Sequence, residues 1–272
     1  MPMLPFVERA PNAEEMERLR LLLSTFQDGS GQLPANKQRK TSLPGFRDFE
    51  RACAATFSGV AVESKFFVDV IFPLAAHPAT YYGVDCKMRG ELRKADRAGL
   101  ITVELTNALA DIWGLLGSKG ITQANIEQKA QEAGPLVVEA IESIKKRGSA
   151  AYPNGPIVAE KSYYLVLLWN QAEGIYQLYQ LPLALPVSDT IVWTCESRQR
   201  KKNGSGTATL TGKLGETVLY EWYGFSGGQA KYYPSTNTAI WTSDRFRLEP
   251  LAESVETGLV NKARAYFPDK WK

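Results

Sequence analysis

The chain has a single histidine, His77, among 272 residues. That scarcity excludes histidine-metal-finger and paired-histidine nucleases, which need several imidazoles at one site. A Ser-His-Asp or Cys-His hydrolase would have to use His77, and no nucleophile-elbow motif accompanies it. The three cysteines, Cys53, Cys86 and Cys195, are odd in number and widely spaced. They supply neither a disulfide framework nor a zinc pattern. No apolar run approaches a membrane span, and no charged-then-apolar start reads as a signal peptide. The expected location is therefore cytoplasmic, with no membrane partner. The stretch Gly224 to Gly228 lacks the lysine and the spacing of a phosphate-binding loop. A net charge of +3 is too small to indicate a polyanionic partner by itself.

Against these absences stands one constellation. Two strand-like segments, Phe66 to Phe72 and Tyr81 to Met88, are rich in β-branched and aromatic residues. The first contains Asp69 and the second Asp85-Cys86-Lys87. Side chains two apart on a strand share a face, so Asp85 and Lys87 point one way and Cys86 the other. If the segments pair, Asp69 comes within reach of Asp85. Both acids lie in apolar runs, where an unpaired charge is expensive and a cation is wanted. Two carboxylates suffice for Mg²⁺, a hard ion that keeps several waters. A bound Mg²⁺ activates water for attack on a phosphodiester, and Lys87 would contact that water or the phosphate. The alternative for a bare Asp-x-Lys triplet is an edge-strand ion pair.

Glu50 enters from a separate argument. Residues 44 to 57 read as a helix with Pro44 near its start. Phe46, Phe49, Cys53 and Phe57 form its apolar face, and Glu50 falls inside that face. A carboxylate there either meets a cation or reaches sideways to water. Glu63 is a rival just upstream of Asp69, in a turn-like Ser/Lys setting. His77 lies between the two acidic segments, as a plain loop residue or near the phosphate.

This pattern resembles the PD-(D/E)xK nuclease superfamily. Asp69 matches the first acid, Asp85 the second and Lys87 the lysine, with Val68 where the family often has proline. Glu50 resembles the glutamate that the superfamily often carries on the helix before its first core strand. The resemblance implies an α/β (α+β) fold: a restriction-endonuclease-like core with a central mixed sheet flanked by helices. Size and composition are similar to those of a type II restriction endonuclease. That implies Mg²⁺-dependent cleavage of double-stranded DNA at a short specific sequence by a homodimer, since two-fold sites suit two-fold proteins. Two alternatives stay open: a repair or structure-specific nuclease of the same superfamily, and a non-catalytic DNA-binding protein. A carbohydrate-binding module is a weaker third.

The remaining organisation reads as one domain over 1–272, with a catalytic core at 44–170 and a β-rich extension at 171–272. Residues 12 to 26 form an amphipathic helix with Leu19, Leu22, Leu23 and Phe26 buried. Met88 to Ala98 is charged and turn-like, and Leu100 to Leu105 alternates as a strand. Asn107 to Leu116 is helical, capped by Thr106 or Asn107. Glu104 would be solvated at a strand end or join the acidic cluster. Two further helices, 122 to 133 and 135 to 147, are divided at Pro135, with Lys145, Lys146 and Arg147 complementing the second helix's dipole. Tyr163 to Trp169 is a central strand of the acidic sheet. Strand-like stretches then run at 174–179, 190–195, 207–213, 217–223 and 238–241, and a helix closes the chain at 251–266. The turn at Asn203 joins a hairpin carrying Arg198, Gln199, Arg200, Lys201 and Lys202. A two-stranded ribbon fits the major groove, so this tip is the candidate DNA reader. Lys37, Arg39 and Lys40 form a second basic cluster for phosphates. The segment Gly227 to Tyr233, with Arg245 and Arg247, ranks next for DNA. The other possibility for the hairpin is a solvated, edge-protecting turn.

Overall fold

The computed structural model describes residues 5–28, 31, 43–62, 67–74, 80–198, 207–251 and 268–270. Helix α1 (Ala13–Ser24) opens with a capping box: Asn12 accepts the Glu15 amide, and the Glu15 carboxylate accepts the Asn12 amide. Its buried residues include Leu19 and Leu23, while Leu22 and Phe26 of the expected stripe are only partly covered. Helix α2 (Phe46–Phe57) starts after Pro44 and Gly45, and Asp48 accepts the Gly45 amide at 2.7 Å. Phe49, Cys53 and Phe57 are buried as expected. Phe46 is not: it is 59 % exposed, so the apolar face begins one turn later than its sequence spacing indicates.

The next elements are β1 (Val60–Ala61), β2 (Val70–Pro73), β3 (Tyr81–Arg89), α3 (Leu92–Ala98), β4 (Val103–Asn107), α4 (Leu109–Ser118) and α5 (Ala130–Ala150). Then come β5 (Tyr163–Asn170), β6 (Ile175–Pro182), β7 (Ile191–Arg198), β8 (Thr207–Leu214), β9 (Thr217–Trp222), β10 (Gln229–Tyr232), β11 (Trp241–Thr242) and β12 (Phe246–Arg247). The fold is mixed α/β. One sheet has the order β1-β2-β3-β5-β6-β11, with β12 also on β6. Its β3–β5 pair is parallel and its other pairs are antiparallel. β5 is central and covered on both faces, which explains its nearly unbroken apolar sequence.

Alternation along these strands sorts side chains into two cores. Val70, Phe72, Tyr82, Val84 and Cys86 pack with Leu165 and Leu167 against residues of α1 and α2. Ile71, Tyr164, Val166 and Leu168 point to the other side, into a core shared with α4, α5 and a second sheet. That second sheet runs β4-β10-β9-β8-β7, all antiparallel. Trp193, Tyr220 and Tyr232 stack successively on its inner face at 5.6 and 5.3 Å.

Several expectations are corrected. Residues 88 to 98 are not a turn: β3 runs on to Arg89 and α3 follows. The cap of α4 is Ala108, with no side-chain bond, rather than Thr106 or Asn107. Pro135 does not divide two helices but lies inside α5. Proline lacks the N–H that would bond the Gln131 carbonyl. The Gln131 side chain meanwhile ties α5 to β7, accepting from the Trp193 amide and donating to the Ile191 carbonyl. Lys145 is no surface dipole partner: it is buried, and its Nζ donates to Glu142 and the Leu183 carbonyl. The expected strand at 238–241 is not one: Thr238 ends a short 3₁₀ turn, Thr236–Thr238, and only Trp241 begins a strand, β11. Residues 252–266 of the expected last helix lie outside the described residues. The first sheet runs across the 170/171 boundary, since β6, β11 and β12 join β1, β2, β3 and β5, while β4 belongs to the second sheet. Among the described residues no helix is long and apolar enough to cross a membrane.

The α5–β7 contact leaves no room at Gly134, where an added Cβ would lie 1.9 Å from the Trp193 ring. Gly134→Ala should therefore destabilise the protein by about 1–3 kcal/mol through overpacking, despite alanine's better helix propensity. Urea denaturation checks this; a more stable variant would show that α5 can move away from Trp193.

Candidate active site

β2 and β3 pair antiparallel with Val70 opposite Val84. Asp69, one residue before β2, donates its amide to the Val84 carbonyl at 3.0 Å. Its position is thus directly across from Asp85. Past this point the main-chain ladder gives way to a side chain: the Cys86 amide donates to Asp69 Oδ2 at 2.8 Å. Gly83 helps to hold the approach to Asp69, since an added Cβ there would lie 2.7 Å from the Val68 side chain. Lys87 Nζ donates to Asp85 Oδ1, as their shared face requires. Cys86 turns the other way and is buried in the α2 core. The expected convergence of Asp69, Asp85 and Lys87 is present.

Asp69, Lys87 and Cys86 line a cleft of about 380 Å³ together with Phe46, Glu50, Met88, Arg89 and Glu104, and Asp85 lies buried beneath it, held by Lys87. Burial pushes the Asp69 carboxyl up to about 8, and the negative Asp85 adds to the rise; Lys87 opposes it, while Glu50 adds a little more. Burial alone would lower Lys87, yet the charges of Asp85 and Asp69 raise it, so the ammonium persists. The result is two facing carboxylates that share one fixed cation. A further positive charge between them would favour the ionised Asp69 against the burial and the Asp85 charge that hold its proton. Two carboxylates, Asp69 at the cleft and Asp85 across the strands from it, are the residues that could hold a hard divalent ion such as Mg²⁺. Among the described residues no group of three or more His, Cys, Asp or Glu side chains is arranged to hold a metal. Waters would therefore have to complete the coordination.

Glu50 lies on α2, which covers the opposite face of the sheet, yet its side chain reaches the same cleft. Glu104 arrives from the second sheet and pairs with Arg89 at 2.5 Å, so it is a wall of the cleft and not a freely solvated strand end. Sequence reading passed over Arg89, although its place two residues beyond Lys87 puts it on the same strand face. Arg245 and Arg247 have intramolecular partners: Arg245 pairs with Asp96, and Arg247 donates to the Glu173 carbonyl. Arg198 ends β7 opposite Thr207 of β8, and the two strands pair antiparallel. Gln199, Arg200, Lys201, Lys202 and Asn203 lie outside the described residues, as do Lys37, Arg39, Lys40, Glu63 and His77. Of the three tryptophans expected in the core, Trp193 and Trp222 are buried there, whereas Trp241 is only partly buried.

Comparison with known proteins finds no matching family model, no similar curated protein and no similar solved structure.

The raised Asp69 pKa has a consequence for the metal-free protein. Folded Asp69 holds its proton to about 8, whereas the unfolded chain releases it near pH 4. Between those values the folded state binds more protons, so this residue makes stability fall as pH rises. In EDTA, Asp69→Asn should flatten that slope and melt higher than the native protein at pH 8.5. Thermal unfolding across pH 5–9 is the check; an unchanged slope would mean that Asp69 ionises normally.

Proposed function

We propose that this chain is a Mg²⁺-dependent endonuclease that cuts double-stranded DNA at a short specific sequence, in the manner of a type II restriction enzyme of the PD-(D/E)xK superfamily. The observation that carries the reading is the meeting of Asp69, Asp85 and Lys87 at one end of the β2–β3 pair. The element order adds support: a helix bearing a cleft carboxylate, an antiparallel pair bearing the acids, helices, and a parallel neighbour for the catalytic strand.

Mg²⁺ held by Asp69 and Asp85 would acidify a water and offset charge on the phosphate oxygens. The chain's own part is to place charge in advance. Asp85 fixes the Lys87 ammonium at the cleft floor, where it can donate to a non-bridging phosphate oxygen or orient the attacking water. Asp69 is fixed in turn by the Cys86 amide, so neither acid reorganises when the charge develops. Glu50 faces the cleft from α2 and supplies a further acceptor for a metal-bound or attacking water. A homodimer would set two such sites on the two strands of a palindrome, with the basic segment 198–203 of the sequence as the DNA reader.

The test is incubation of the purified protein with unmethylated duplex DNAs covering all short sites, in Mg²⁺ and in EDTA. Discrete ends only with Mg²⁺ are expected. Asp85→Ala and Lys87→Ala should each lose at least about 100-fold in cleavage while staying folded and retaining DNA binding. Full activity in either variant would remove the proposed site. A smear, or a preference for branched substrate, would favour the repair or structure-specific reading. Metal-independent binding without cutting would favour a DNA-binding protein.

A further inference from the structure

Arg89 is bound by two carboxylates of unlike character. Its Nη2 donates to Glu91 Oε1 at 2.8 Å, and its Nη1 to Glu104 Oε1 at 2.5 Å. Glu91 is anchored through its other oxygen, which accepts the Thr102 hydroxyl at 2.7 Å and lies 3.5 Å from Lys94 Nζ. Glu104 has no such anchor among the described residues. Its side chain is 44 % exposed, and it stands in the wall of the cleft. Arg89 therefore has one partner that orients it and another that can be displaced.

Arg89 also shares a strand face with Lys87. Two residues of strand separate their Cα atoms by about 6.6 Å. That is of the order of the spacing between neighbouring phosphates along one nucleic-acid strand. A guanidinium prefers a phosphate, which it can grip with paired N–H groups, to a single contact with an exposed carboxylate.

We propose that Arg89 binds the phosphodiester next to the scissile one, and that Glu104 occupies this position as an internal anion until the substrate displaces it. This assignment rests on the nuclease reading and adds a second phosphate position to it. Glu91 is then a positioning residue: it holds the guanidinium toward the cleft. Glu104 opposes binding twice, by competing for Arg89 and by repelling the incoming phosphate. Removing its charge therefore improves substrate affinity, whereas removal of a strut would not.

The experiment is fluorescence anisotropy of a labelled duplex of mixed sequence, in Ca²⁺ at a series of salt concentrations, with melting temperatures of the same proteins. Arg89→Gln should weaken binding and reduce the salt slope by about 1, the signature of one lost phosphate contact. Glu104→Gln should bind severalfold more tightly than the native chain. If Arg89→Gln lowers the melting temperature with the slope intact, and Glu104→Gln binds no better, the ion pair is a strut and the assignment is overturned. Should the native protein cut DNA while Arg89→Gln keeps the full slope, the assignment falls alone. A native protein that neither binds nor cuts nucleic acid would overturn both it and the reading beneath it.

Discussion

The structure turns on the facing of Asp69 and Asp85 where β2 gives out beside β3. Burial and the facing Asp85 charge together raise the Asp69 carboxyl. Lys87 answers half of the charge. The register that sets the acids opposite each other is fixed elsewhere, by the alternation of Val70, Phe72, Tyr82 and Val84 into the α2 core. A one-residue slip would turn those apolar groups out and both acids in. Apolar packing on one side of the sheet thus holds two carboxylates face to face on the other.

The second sheet gives this centre a wall. β4 departs from the first layer and pairs with β10, so Glu104 stands beside Arg89 although a helix separates them in sequence. Helix α5 joins the layers: Gln131 hydrogen-bonds the β7 backbone, and Gly134 lets the Trp193 ring close against it. The cleft is accordingly a junction between two sheets whose relative position depends on one shared core.

Much of the site could be read from sequence because strand alternation is a short-range rule. Asp85 and Lys87 share a face in any strand, and the apolar runs around both acids mark them as buried. Glu50 could be read from its place among phenylalanines. What was missed depends on distance along the chain. Nothing near Glu104 announces that β4 will leave the acidic sheet, because its partner β10 lies more than a hundred residues away. Pro135 misled because a proline usually marks a first turn, and the packing of α5 against β7 overrode that preference. The charged stretch 91–98 concealed α3, whose buried side is only Leu92 and Ala95. Phe46 misled for the opposite reason: its spacing fits the apolar stripe, but the cleft opens beneath it.

β3 carries two alternating sets of residues. Val84 and Cys86 are packed in the α2 core, while Asp85, Lys87 and Arg89 share the other face, with Lys87 and Arg89 lining the cleft and Asp85 bound to Lys87. Foldedness and chemistry therefore fall on residues of opposite parity within one short segment. A population of variants could drift in its charges on the odd positions while the even positions hold the scaffold constant. Such a strand lets selection change the charges beside the cleft without renegotiating whether the chain folds.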